Sequence, residues 1–303
     1  MSNLILLAIC YGIGVALRHS ARMPQNAASA LNTFIIYVSL PAVTLYYVHA
    51  IDPHPSLLVP AIMPWLFFAC GLAFFWLAGR MMRLSRASTG GLMLIGSLGN
   101  TSFVGLPMIE TFYGTRGLAT GIVVDQLGSY LVLSTLGVVI AGIYSRGDAA
   151  IDIRAIAWKV AKFPPFIAVI VALALLAFTY PAWLDDILLK LGATLAPLAL
   201  TSVGLQLKLG DLRGRIGALS VGLAFKLLLG PALMLMLLAA AFGTDGEHFE
   251  ITIFEAAMAP MIGATIVAME HDLDPPLATM MVGIGIPLSF FTLPVWFYAL
   301  QSL

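Results

Sequence analysis

The sequence predicts an all-α polytopic membrane protein of ten transmembrane helices, built as a 5+5 inverted repeat. Three observations carry this reading. Hydrophobic residues make up 60% of the 303 positions and charged ones 10%, and the apolar residues come in long runs rather than narrow amphipathic stripes. Basic residues between the runs divide sharply by side. Two of the runs carry helix-breaking residues at matching depth in the two halves.

Crossing roughly 30 Å of hydrocarbon takes about 20 apolar residues in a helix. Ten such runs lie near 3–17, 29–48, 57–79, 90–113, 117–143, 162–180, 187–207, 216–242, 249–269 and 277–300, here spans 1 to 10. Sustained barrel-type alternation is missing, which leaves closed helices as the spanning solution. Span 1, in "MSNLILLAICYGIGVALRHSAR", has its basic residues after the apolar run. That order predicts a retained helix with its N-terminus outside rather than a secretory signal.

This orientation puts Arg18, Arg22, Arg80, Arg83, Arg86, Arg146, Arg154, Lys159, Lys162, Lys208, Arg213 and Arg215 inside. Arg116 and Lys190 fall outside and Lys226 within span 8, so the fifteen basic residues split twelve in, two out and one buried. An even number of spans returns the C-terminus to the outside. No loop is long enough for a soluble domain, which argues against nucleic-acid binding and globular catalysis. Cys10 and Cys70 sit in apolar runs and match no disulfide or metal spacing, so they read as packing residues.

A repeat relates the halves, 1–145 and 155–303. Shifted by 156, "SLPAVTL" (39–45) lies over "LAPLALT" (195–201), bringing Pro41 of span 2 onto Pro197 of span 7. Shifted by 159, "GLATGIVVDQLGSYLVLSTLGVV" (117–139) lies over "PLATMMVGIGIPLSFFTLPVWFY" (276–298). Five is odd, so the two halves have opposite orientation.

The same 159 shift carries Asn100 and Thr101 of span 4 onto Ala259 and Pro260 of span 9. Gly99, Gly105 and Pro107 interrupt the first; Pro260 and Gly263 interrupt the second. Freed backbone groups cannot face lipid, so the broken spans are expected to cross, buried against each other or lining a wet cavity. A half-helix starting after each break presents free N–H groups and a positive dipole end, a suitable host for a carboxylate. Paired interruptions of this kind point to a transport site.

"GNTSFVGLP" (99–107) resembles the Asn-Thr-Gly-Phe-x-Gly-x-Pro signature of the auxin efflux carrier family, with Ser102 where glycine is common. "AMAP" (257–260) is similar to that family's second crossover motif, and the likeness extends over the whole chain in length, topology and repeat. The resemblance implies a bile-acid-symporter-like fold with scaffold helices 1, 2, 6 and 7 and moving transport helices 3–5 and 8–10. It also implies carriage of organic anions such as malonate- or auxin-like carboxylates, a bacterial inner membrane, and a homodimer through the non-moving helices.

Asn100 is the first candidate for substrate contact, since an amide offers both donor and acceptor; its other role is to cap the broken backbone. Thr101 and Ser102 either meet substrate or bond back to their own helix. Gly105, Pro107, Pro260 and Gly263 shape the two breaks, and Gly105, Pro260, Met261 and Gly263 are also counted among the substrate-binding residues. Asp125, Lys226 and Glu255 stand out because an ion at the bilayer centre costs at least about 2.5–3.5 kcal/mol. If the two acids and one base meet, one negative charge is left for a proton or cation, which suits proton coupling. The alternative is a simple Lys226 ion pair with the other acid solvated. Glu110, near the outer end of span 4, reads as interfacial.

Asn32, Thr33, Ser39, Thr44, Thr201, Ser202 and Gln206 supply polar groups to spans 2 and 7, where Pro41 and Pro197 are expected to kink the helices. The resemblance puts residues near Pro41 beside the substrate cavity. His19, His49, His54, His248 and His271 fall at helix ends or in loops, where solvation is the default, and Trp65, Trp76, Trp183, Tyr46 and Tyr47 fit interfacial belts or packing.

The leading expectation is therefore a secondary carrier for a small organic anion working by alternating access, with no cofactor. The first alternative is a sodium-coupled symporter of the bile-acid type, with Asn100, Thr101, Glu255 and Gln126 as oxygen donors. A receptor or channel without coupled transport is the lesser one. An intramembrane enzyme would need paired aspartates, a Ser-His pair or a histidine cluster, and the sequence offers none of these.

Overall fold

The structure, a computed structural model, describes residues 2–18, 23–24, 26–49, 57–145, 154, 158, 161–206, 214–244 and 246–303. Arg22, Arg146, Lys159, Lys208, Arg213, His19 and His54 lie outside the described residues. Among the described residues the secondary structure is helical, with one isolated bridge and no strand.

In chain order, α1 is Ser2–Arg18, α2 Ala27–His49, α3 Leu58–Met81 and α4 Arg86–Ile95. After the first break come a π turn at Thr101–Gly105 and α5, Leu106–Phe112, then the long α6, Thr115–Tyr144. The second half has α7 Pro164–Ala174, α8 Ala182–Gly192, α9 Leu195–Gln206 and α10 Ile216–Phe242. It ends with α11 Glu247–Ala256, α12 Ile262–Glu270 and α13 Pro275–Leu300.

Six helical segments are long and apolar enough to cross a membrane: α2, α3, α6, the α8–α9 stretch Ala182–Leu205, α10 and α13. They coincide with spans 2, 3, 5, 7, 8 and 10. Spans 4 and 9 are each divided at their breaks. α7 has only 11 helical residues, or about 16 Å at 1.5 Å per residue, short of a full crossing.

Proline dictates much of the local detail. Lacking an N–H and colliding with the carbonyl four residues back, it forces the ladder before it to slip. Three of the five described π segments, Ile35–Ser39, Thr101–Gly105 and Phe225–Leu229, end two residues before a proline, namely Pro41, Pro107 and Pro231. Pro41 thus produces a π turn, and Pro197 follows a two-residue break at Ala193 and Thr194. Both effects are local slips of the kind expected to bend a helix.

The chain divides into two compact units. The first holds residues 1–54, 102–122 and 157–207. Within it α1 lies against α9, so closely that a Cβ on Gly14 would come 2.2 Å from Thr201 O and one on Gly204 2.3 Å from Tyr11 O. Small residues let membrane helices approach to this degree. Ser202 Oγ donates to Asn32 Oδ1, and the Ser39 and Thr194 hydroxyls bond at 2.7 Å. His49 departs from the expectation of solvation. Its Nε2 lies 3.0 Å from Leu175 O and 2.7 Å from Phe178 O, and its ring stacks on Tyr180, tying α2 to the carbonyls freed where α7 ends.

The second unit holds residues 55–101, 123–156 and 208–303. Its core is aromatic, with Phe225 stacked on Phe74 at 4.4 Å and edge-on to Phe67 and Phe75. Two tryptophans, Trp65 among those expected in belts or packing, reach carbonyls inside π segments. Trp65 Nε1 donates to Leu127 O at 3.0 Å and Trp296 Nε1 to Leu227 O at 2.8 Å.

Candidate functional site

The two breaks meet within the second unit. Asn100 N–H donates to Ala259 O at 2.8 Å, Met261 N–H donates to Leu98 O at 3.1 Å, and Gly99 pairs with Pro260 as an antiparallel bridge. Backbone groups that a lipid environment would leave unsatisfied are therefore exchanged between the interrupted segments. Asn100 is 2% exposed and Thr101 1%.

Around this bridge the sequence-predicted charges collect. Asp125, from the π segment Val124–Ser129 of α6, accepts from Thr101 Oγ1 at 2.6 Å and from Gln126 Nε2 at 2.6 Å. Lys226, from the π segment of α10, donates to Ala256 O at 2.7 Å and sits 4.3 Å from the centre of the Phe67 ring. Ala256 closes α11, so the ammonium satisfies a carbonyl at the negative end of that helix. Glu255, one residue earlier, is buried, and neither carboxyl oxygen has a hydrogen-bond partner among the described residues. The charged groups acting on it are Asp125 and Lys226.

Gly99, Thr101, Lys226 and Glu255 line one cavity of about 10 Å³, together with Ser97 and Ser129. That is room for about one water or a bare ion, not for a carboxylic acid. Of the other expected residues, Met261 joins the bridge through its N–H, and Gly263, in α12, faces Leu133. Sequence reasoning missed Ser97, Ser129 and Phe67. Ser129 follows Asp125 by four residues on the same helix, a signal that was available; Phe67 had none.

Ser102, Gly105, Pro107 and Pro41 belong to the first unit. Pro107 lines a larger cavity of about 350 Å³ there, with Val43, Tyr46 and Tyr47 of α2, Glu110 of α5, Thr115, and Lys190 of α8. Its volume falls in the range of small-molecule sites. Lys190 is itself paired with Asp186 at 2.6 Å and is largely exposed. Tyr46 and Tyr47, expected in belts or packing, form part of this wall.

Long apolar helices and buried, bonded helix breaks define an integral membrane protein. The family described as Membrane transport protein matches residues 2–297, and the chain belongs to it, in agreement with its likeness to the auxin efflux carriers. An uncharacterized transporter of Methanothermobacter thermautotrophicus is 27% identical over 289 residues, covering 94% of this chain and 93% of that protein. One of Methanocaldococcus jannaschii is 23% identical over 311 residues, covering 100% and 99%.

Proposed function

We propose that the chain is a secondary carrier moving a small organic anion, a mono- or dicarboxylate, across the plasma membrane by alternating access. The observation that carries this reading is the reciprocal hydrogen bonding of the two breaks, surrounded by Asp125, Lys226 and Glu255. Charged groups inside membrane spans are costly and are kept for ion or substrate pathways.

In this reading spans 4 and 9 cross, and residues 1–145 and 155–303 are inverted repeats. The Asn100–Ala259 bond supports it, because the 159 shift pairs those same two residues. The reading keeps a scaffold of spans 1, 2, 6 and 7, all in the first unit, and a transport part of spans 3–5 and 8–10, of which spans 3 and 8–10 and parts of 4 and 5 fall in the second unit. Both termini face outside, and two chains associate through the scaffold. The substrate enters the cavity beside Pro107, whose volume of about 350 Å³ suits a small carboxylate. Asn100, Thr101 and Ser102 are the residues proposed to contact it, and the cavity at Thr101 is water-sized, so contact there needs the crossover to loosen. A proton on Glu255 or Asp125 couples the cycle.

Counterflow of labelled dicarboxylates and indole acids in proteoliposomes tests the reading. Saturable exchange of at least one carboxylate is expected, and its absence across the set overturns it. A sodium-coupled symporter is the second reading, favoured by the buried Glu255 carboxyl with two oxygens to offer a cation.

A further inference from the structure

The second-unit cavity has the wall that a hard cation selects. Glu255, Thr101, Ser97 and Ser129, all with oxygen-bearing side chains, line it, and Ser97 Oγ and both Glu255 oxygens lack hydrogen-bond partners among the described residues. The carbonyl of Ala256 closes α11 beside it and carries the negative end of the helix dipole. A cation already stands on that carbonyl. Lys226 Nζ donates to it at 2.7 Å, lines the same cavity, and turns toward the Phe67 ring at 4.3 Å.

We propose that Lys226 is a tethered cation occupying the place at the α11 break that a coupling metal ion would otherwise take, so that this carrier works without sodium. The inference rests on the carrier reading for its functional half; the occupied cation position is a property of the resting protein. A second cation about 4 Å from the ammonium meets repulsion that weakens binding roughly a thousandfold at protein-like screening. The carboxylate of Asp125 accepts from Thr101 and Gln126, while Glu255 lines the same cavity as the ammonium. The sodium-symporter reading asks for a bound ion at a position the chain fills with its own side chain.

Thermal unfolding of the purified full-length protein, in sodium chloride against choline chloride at equal ionic strength, tests this without any substrate. The wild-type midpoint is expected to be the same in both salts. Lys226→Met, which bares Ala256 O and Glu255, is expected to unfold at lower temperature in choline and to recover with sodium in a saturable way. Lys226→Gln is the second variant should the first not fold. A sodium-specific rise in the wild type overturns the proposal, as does a folded variant indifferent to sodium; if neither variant folds, the wild-type comparison decides. Failure of all carboxylate flux would fall on the carrier reading alone, since the sodium response is read from unfolding.

Discussion

At the scale of single residues, Thr101 ties the first break to Asp125. Its hydroxyl donates at 2.6 Å in a site where Thr101 and Asp125 are each 1% exposed. Thr101→Val keeps the shape and removes the donor, so the folded protein is expected to lose about 1.5–3 kcal/mol, the range for a hydrogen bond to a charged group. Thr101→Ser should restore most of it. Thermal midpoints of the three proteins check this, and a valine variant as stable as wild type would mean that Asp125 is held otherwise. Asp125, Lys226 and Glu255 were legible because charge in an apolar run is conspicuous. Their division of labour was not, because nothing in the sequence tells that Lys226 would settle on a backbone carbonyl instead of pairing within salt-bridge distance of an acid. Ser97 and Phe67 were invisible for a plainer reason: serine and phenylalanine are ordinary in membrane helices, and only folding brings them to the cavity.

At the scale of elements, the breaks in spans 4 and 9 could be read from glycine and proline, and the 159-residue shift places them in register in the sequence. The π segments could not. A five-residue slip in a helix that is apolar on every face leaves no change in hydrophobic period to detect, and only the prolines hint at three of them. Close packing at the second break is equally hidden, yet it makes a sharp test. A Cβ on Gly285 of α13 would lie 2.7 Å from Pro260 Cδ and 2.9 Å from Leu223 Cδ2. Gly285→Ala is therefore expected to destabilise by about 1–3 kcal/mol through overpacking. Gly12→Ala in α1, where a Cβ meets nothing within 4 Å, should leave the midpoint unchanged or raise it slightly. Equal midpoints for Gly285→Ala and wild type would mean that Pro260 does not sit against α13.

At the scale of the whole molecule, six crossings follow from length and composition, and the remaining four expected spans depend on segments that are broken or short. The broken span 4 is the informative one. α4 has 10 residues and α5 has 7, about 15 and 11 Å of helix, so neither crosses roughly 30 Å alone. In series with the non-helical link and the π turn between them they are long enough, and the exchange of hydrogen bonds with the second break removes the penalty of unpaired backbone in lipid. If the segment crosses, Met81 and Thr115 lie on opposite sides. Single cysteines at these positions, in a background with Cys10→Ala and Cys70→Ala, should behave oppositely toward a membrane-impermeant maleimide. Thr115→Cys is expected to label in intact cells and Met81→Cys, at a position 75% exposed, only after permeabilisation. Labelling of both from outside would make span 4 a re-entrant segment and undo the inverted repeat. A reversed pattern would keep the crossing but turn the chain over, placing Arg80, Arg83 and Arg86 outside against the charge rule from which the orientation was read.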